Sequence, residues 1–282
     1  MGNADMHRPS ANQEYYDSAA LSKYINGAPH LKHEALKRMW IGLFTESCVR
    51  PLQSQTRALR VLDLGAGEGL ATQELLRLGV HVTAVDGSRQ MLESLERRCK
   101  LYASQLVTVQ ADVAEYLLRS TETFDVVCAI SFLHHVPDYI ALLAHIVARM
   151  RPGGAFFSFQ DPMRYDTLPR FERWAAILSH DVWRIGHGDV IGGLSRRLRR
   201  MRGIYLADSI ADNVEYHVVR NGVDQERLRE YCDVHFERTL VVDYWSTESA
   251  VFQWLGTALR LRSSFCIVAT GRKRSFANAQ LD

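Results

Sequence analysis

The chain has 282 residues and a formal net charge of +2, with 47% hydrophobic and 23% charged residues. This length favours one α/β core with an added subdomain, and the low net charge argues against a nucleic-acid partner. Because no stretch approaches the roughly 18 apolar residues of a membrane span and the first residues are polar, we expect neither a membrane segment nor a signal peptide. The five scattered cysteines lack a CxxC pair, so we expect a cytoplasmic protein without disulfides or a bound metal.

Two helices are predicted before the first strand, over residues 14–26 and 30–48. Their position suits them either to close over a site or to form a contact in a homo-oligomer. Three aromatic residues of the first helix are candidates for contacts with the substrate, although packing against the core is an equal alternative. These residues are Tyr15, Tyr16 and Tyr24.

Strands and helices then alternate in the sequence. The pattern predicts strands over residues 59–64, 80–86, 106–112, 124–130 and 153–161 and helices over residues 70–79, 88–102, 113–120 and 137–150. This rhythm indicates βαβ units and a parallel sheet. The apolar run FDVVCAI at 124–130 is typical of a strand that is covered on both faces.

The alternation is interrupted after Asp161. Residues 162–222 have no clear strand pattern and predict three helices, over 169–180, 189–202 and 208–220. Further on, the pattern predicts helices over 224–233 and 247–261 and strands over 235–244 and 264–271. We therefore divide the chain into an N-terminal helical lid (1–50), a cofactor-binding α/β core (51–161), a helical cap for the acceptor (162–222) and the remainder of the core with a tail (223–282).

The most informative motif is VLDLGAGEG at residues 61–69. Gly65, Gly67 and Gly69 let the backbone turn sharply and approach a ligand, because no Cβ intervenes. The G-x-G-x-x-G pattern of nicotinamide dinucleotide sites fails from either of the first two glycines. Asp63 would repel a pyrophosphate, but it suits a ligand with a cationic amino group, such as the methionine end of S-adenosylmethionine.

Two further carboxylates follow predicted strands. Asp86 ends the second strand, where a carboxylate can accept hydrogen bonds from ribose hydroxyls; the alternative is a helix N-cap, for which Ser88 competes. Asp112 ends the third strand, where it can reach an adenine amino group or cap the next helix instead. We favour the ligand role for both.

Five segments, in order, carry a resemblance to a known family: VLDLGAGEG, VTAVDGS, VQADV, FDVVCAISFLHHV and RPGGAFFSF. The stretch from about 59 to 161 resembles the class I S-adenosylmethionine-dependent methyltransferases, in the branch that includes ubiquinone- and sterol-type small-molecule enzymes. The resemblance implies a Rossmann-like α/β fold: a seven-stranded, mostly parallel sheet with helices on both faces and an antiparallel last strand. It also implies S-adenosylmethionine as the cofactor, bound at Asp63, Gly65, Ala66, Gly67, Gly69, Asp86, Gly87, Asp112, Val113, Ile130, Ser131 and Phe132.

Methyl transfer from a sulfonium is a direct displacement, so the protein chiefly aligns the acceptor and excludes water. A general base is needed only for a hydroxyl, a protonated amine or a carbon acid. His134 and His135 follow the fourth strand at the edge where such sheets bind ligands, although either ring can have a structural role. His187, between two glycines, is a second catalytic candidate, and Asp161 and His135 are candidate substrate contacts.

The leading hypothesis is a methyltransferase that acts on a small molecule, as in secondary metabolism. One alternative keeps the fold and the cofactor but catalyses a non-methylating reaction such as cyclisation. Another is an anionic or diphosphate-bearing acceptor bound by the arginines at 196–202, although we favour a solvated helix face or a subunit contact for this cluster.

Overall fold

A seven-stranded sheet forms the centre of the computed structural model, which describes residues 28–53, 57–186, 216–218 and 220–274. The strands are β1 (Arg60–Leu64), β2 (His81–Asp86), β3 (Leu106–Gln110), β4 (Phe124–Ile130), β5 (Met150–Pro162), β6 (Phe236–Tyr244) and β7 (Ser264–Arg272). They lie in the order β3-β2-β1-β4-β5-β7-β6. The pairs among β1 to β5 are parallel, whereas β7 is antiparallel to both of its neighbours. The predicted fold class is confirmed, including the antiparallel last strand.

The helices connect these strands in the predicted alternation. They are α1 (Pro29–Lys32), α2 (Glu34–Phe44), α3 (Leu70–Arg77), α4 (Arg89–Arg98), α5 (Val113–Arg119), α6 (Tyr139–Ala148), α7 (Arg170–Gly186), α8 (Gln225–His235) and α9 (Ala250–Ala258). Among the helices of the described residues, none combines the length and apolar character needed to cross a bilayer.

The sheet separates two layers of buried apolar side chains, and the central strand β4 supplies both. Val127 and Ala129 belong to the layer that α5, α6 and α8 cover, while Val126 and Cys128 belong to the layer that α2, α3 and α4 cover. Successive side chains of a strand point to opposite faces. The apolar run of β4 therefore reflects helices packed on both faces of the sheet.

Helix α2 is part of this core. Trp40 and Phe44 are at most 1% exposed, and the rings of Phe44 and Phe157 on β5 meet edge to face, with centroids 5.2 Å apart. The predicted lid at 1–50 thus contains a segment that packs on the sheet as other core helices do. The predicted helix at 14–26, with its three tyrosines, lies outside the described residues.

Several predicted element boundaries were wrong. Strand β5 begins at Met150 rather than at residue 153, because Met150 pairs with Phe124 before the register shifts along β4. The predicted helix at 88–102 ends at Arg98, and a 3-10 turn over Lys100–Gln105 leads into β3. The helix predicted at 247–261 is shorter, as α9 begins only after Ser249.

The region predicted as a cap is described in part. Helix α7 agrees with the first of its three predicted helices, and the second helix, most of the third, the arginine cluster and His187 lie outside the described residues. Helix α7 contacts the last part of the chain, where Glu172 pairs with Arg262 at 3.4 Å and the Ser179 hydroxyl accepts a hydrogen bond from Thr247 Oγ1 at 2.8 Å. The division into lid, core and cap stays a prediction.

Candidate active site

The candidate site lies at the edge where parallel strands β1, β2, β4 and β5 have their carboxyl ends. Open α/β sheets bind ligands outside this edge. The loop after β1, Asp86 at the end of β2, His134 after β4 and Asp161 in β5 all belong to it. The topology therefore places most of the predicted site residues at one edge of the sheet.

The glycine loop has the backbone that its sequence predicts. Gly65, Gly67 and Gly69 have φ angles of +66°, +54° and +82°, a region in which other residues are strained. A Cβ on Gly65 would lie 2.3 Å from the Phe132 ring, and one on Gly69 would lie 2.5 Å from Leu95. The loop is thus packed between the segment after β4 and helix α4.

Asp86 ties the glycine loop to the end of β2. Its Oδ2 accepts a hydrogen bond from the Gly67 amide at 2.8 Å, and its Oδ1 accepts one from the Ser88 amide at 2.8 Å. The N-cap of α4 is Ser88, whose hydroxyl accepts from the Met91 amide. The alternative in which Asp86 itself caps this helix is therefore wrong.

Asp112 does cap a helix. Its Oδ1 accepts a hydrogen bond from the Glu115 amide at 3.1 Å in the first turn of α5. This is the alternative that the sequence left open for Asp112. An adenine contact, made with the neighbouring Val113, stays a prediction.

Asp63 is a buried acid beneath the loop. Its side chain is 2% exposed, and it accepts hydrogen bonds from Thr72 Oγ1 at 2.6 Å and Cys128 Sγ at 3.5 Å. Burial raises the pKa of Asp63 from 3.8 to about 6, although both hydrogen bonds act in the opposite direction. The carboxyl is thus held in a site where its charge is costly.

His134 and Asp161 form a hydrogen-bonded pair. The Nδ1 atom of His134 lies 2.9 Å from Asp161 Oδ1, which also accepts from the His134 backbone amide at 3.0 Å. The Ser158 hydroxyl donates to Asp161 Oδ2 at 2.7 Å. Because a carboxylate only accepts, it fixes the proton of the ring on Nδ1. This arrangement aligns one histidine, while the ring of the other, His135, is tilted by 45° to it with the ring centroids 4.1 Å apart.

The remaining predicted residues have mixed outcomes. Ile130 ends β4 and is buried, Ser131 has a φ of +56°, and Phe132 contacts the glycine loop as described above. Gly87 has open space where a Cβ would stand, so packing does not require a glycine at this position.

His30 is a site residue that the sequence did not suggest. It lies in α1 and is 3% exposed, and its Nδ1 atom is buried without a hydrogen-bond partner. It lines a small cavity together with Asp63, Gly65 and Ile130. Glu68 lines the same cavity and likewise has an unpartnered oxygen, Oε1, while its Oε2 pairs with Arg98 at 3.2 Å.

Part of the chain is similar in sequence to known methyltransferases. A family model described as a methyltransferase domain matches residues 61–154. The ubiquinone biosynthesis O-methyltransferase of Paramagnetospirillum magneticum is 36% identical over 114 residues, which cover 39% of this chain and 42% of that protein. The protein of the same name from Aeromonas salmonicida is 32% identical over 98 residues, or 35% of this chain and 41% of its own. The chain thus spans about two fifths of the length of these curated relatives.

A solved structure matches nearly the whole chain. The magnesium protoporphyrin IX methyltransferase from Synechocystis PCC 6803, crystallised with bound SAH, aligns with a TM-score of 0.54 at 15% identity. The alignment covers 93% of this chain and 98% of that one. At this identity, the likeness concerns the fold.

Proposed function

We propose that the chain is a class I S-adenosylmethionine-dependent methyltransferase and that it transfers a methyl group from S-adenosylmethionine to an oxygen atom of a small acceptor molecule. The observation that carries this proposal is the convergence of the glycine loop, Asp86 and the His134–Asp161 pair at one edge of the sheet. The likeness to the O-methyltransferases above supports oxygen as the acceptor atom.

The residues around the glycine loop fit this cofactor. Two buried polar atoms at the cavity, Glu68 Oε1 and His30 Nδ1, lack a partner among the described residues. Buried polar groups are nearly always hydrogen-bonded, so such atoms indicate that a polar ligand belongs beside them. The positive φ angles of the loop let its backbone approach that ligand closely.

Each part of the cofactor has candidate partners in the chain. Asp86 would hold the ribose hydroxyls and the Asp112–Val113 pair the adenine. Asp63 and the segment Ile130–Phe132 would lie toward the methionine moiety. When bound, S-adenosylmethionine supplies a methyl group on a sulfonium, which is already activated for displacement.

The His134–Asp161 pair supplies what an oxygen acceptor needs. A hydroxyl becomes a stronger nucleophile when a base takes its proton. With the proton of its ring on Nδ1, His134 can accept that proton at Nε2, and Asp161 stabilises the resulting imidazolium. The two residues are at most 5% exposed, so competing water is largely excluded from them.

A transfer assay tests this proposal. The purified protein is incubated with S-adenosylmethionine labelled with tritium in the methyl group and with simple phenols and catechols, and label in the extracted phenol is counted. We expect transfer by the wild type, and a loss of about 10²-fold or more in His134→Gln. His135→Gln is the matched control, because Asp161 accepts hydrogen bonds from the neighbouring His134 and from Ser158.

Two results would contradict the proposal. Equal transfer by wild type and His134→Gln would contradict the role of this imidazole. No label in any phenol or catechol, from a wild type that binds S-adenosylhomocysteine, would exclude a phenolic hydroxyl as the acceptor. An anionic acceptor bound at 196–202, a role in secondary metabolism and a homo-oligomer stay predictions.

A further inference from the structure

We propose that His30 binds the amino-acid end of the cofactor, so that α1 forms one wall of the methionine pocket. This inference rests on the proposed function, because it concerns the same ligand. His30 lies far from the other site residues in sequence, before the first strand of the fold. It extends the site to a segment outside the matched domain at 61–154.

The position of His30 is the first argument. Its ring lines the cavity whose other walls include Asp63, Glu68 and the start of α3 at Leu70 and Ala71. Its side chain is almost fully buried, yet Nδ1 has no hydrogen-bond partner among the described residues. Leaving such a nitrogen unpaired is costly, so the cavity is built for a polar group.

The polar groups of this cavity match an α-amino acid. Asp63 and Glu68 offer carboxylate oxygens to an ammonium group. Within the described part of the chain no side chain caps the N-terminus of α3, and the amides and positive dipole end of a helix N-terminus favour a carboxylate. A neutral imidazole adds a hydrogen bond without adding charge, and burial, helped by the nearby His134, lowers the pKa of His30 to about 3.

The neighbours of His30 hold α1 in place without it. Lys32 Nζ donates to the Glu248 carbonyl at 3.0 Å, and His33 Nε2 lies 2.8 Å from the Thr247 carbonyl. These contacts anchor the short helix on the segment after β6. The ring of His30 is therefore not needed to anchor α1. The anchored backbone instead positions this ring at the cavity.

A pair of ligands tests this assignment by calorimetry. S-Adenosylhomocysteine carries the amino-acid end, whereas 5′-methylthioadenosine lacks it and keeps the adenosine. In His30→Phe, which keeps an aromatic ring but removes the polar atom, we expect S-adenosylhomocysteine to bind about 10-fold to 100-fold more weakly. The affinity for 5′-methylthioadenosine should change less than about 2-fold, and His30→Asn should retain part of the lost affinity.

Other results would overturn the assignment. Equal losses of affinity for the two ligands would show that His30 only supports the fold of the site. Unchanged affinity for S-adenosylhomocysteine would show that His30 does not contact the ligand. If His33→Gln weakened the binding of S-adenosylhomocysteine as selectively and as strongly as His30→Phe does, the cause would be a displacement of α1. If the folded wild type bound neither ligand, the proposed function would fall and this inference with it.

Discussion

Asp161 Oδ1 accepts hydrogen bonds from two nitrogens of His134, Nδ1 at 2.9 Å and the backbone amide at 3.0 Å. One oxygen atom therefore fixes both the position of the residue and the orientation of its ring. Asp161 is fully buried and is itself held by the Ser158 hydroxyl. Asp161 thus acts as a positioning residue for the imidazole.

Replacing this carboxylate by an amide tests the arrangement. In Asp161→Asn, the amide oxygen can replace Oδ1 and keep both hydrogen bonds from His134, but the side chain no longer carries the negative charge that stabilises the imidazolium. We expect methyl transfer to a catechol to fall by about 10²-fold to 10⁴-fold, whereas the Kd for S-adenosylhomocysteine changes less than about 2-fold.

Ser158→Ala provides the matched control for this prediction. It removes the hydrogen bond to Asp161 Oδ2 and leaves the negative charge of Asp161 in place. Transfer should therefore fall by much less than in Asp161→Asn. Similar losses in the two variants would mean that packing around Asp161, rather than its negative charge, limits the reaction.

A comparison of two glycines with left-handed backbones distinguishes the cost of conformational strain from the cost of close packing. Gly65 and Gly79 have φ angles of +66° and +78°, but only at Gly65 would a Cβ meet other atoms, those of the Phe132 ring. We expect Gly65→Ala to lower the free energy of unfolding by about 1 to 3 kcal/mol more than Gly79→Ala. Urea unfolding of both variants measures this difference, and equal destabilisation would contradict the tight contact with Phe132.

The buried carboxyl of Asp63 predicts a pH dependence of stability. Its pKa is about 6 in the folded protein, against an ordinary value of 3.8, so the folded state binds the proton more tightly between these values. The contribution of this carboxyl to the free energy of unfolding is therefore greatest below pH 4, and this contribution is lost as the pH rises through 6. The difference of about 2 pH units corresponds to about 3 kcal/mol.

Comparison with Asp63→Asn isolates this contribution. The amide oxygen can still accept from Thr72, but the side chain no longer titrates. From pH 4 to pH 7, we expect the free energy of unfolding of the wild type to decrease by about 2 kcal/mol relative to Asp63→Asn. A relative stability that is constant with pH would show that the carboxyl is solvated, and one that rises with pH would show that the folded state favours the carboxylate.

Local sequence patterns were sufficient for the core of the fold and for the cofactor loop. The apolar run of β4 and the glycines after β1 act within one strand or one turn, so their consequences follow from local chemistry. The start of β5 was misjudged because it depends on the pairing of Met150 with Phe124. Such a cross-strand register has no signal in the Arg-Pro-Gly-Gly sequence itself.

Long-range contacts explain what the sequence could not provide at the site. Asp161 could be suggested as a substrate contact, but its hydrogen bond to His134 joins residues 27 positions apart. His30 reaches the cavity because Lys32 binds the segment 216 residues further along the chain. The roles of Tyr15, Tyr16, Tyr24 and His187 stay predictions, because these residues lie outside the described part of the chain.

The central claim is that the loop after β1 and Asp86 hold S-adenosylmethionine, and calorimetric titration with S-adenosylhomocysteine tests it most directly. Asp86→Ala removes the carboxylate that accepts from Gly67 and that would face the ribose. Asp233→Ala, at an exposed position on α8, is the control. We predict micromolar binding by the wild type and the control, weakened about 10-fold or more in Asp86→Ala. A folded wild type that does not bind, or equal affinity in Asp86→Ala, would contradict this account.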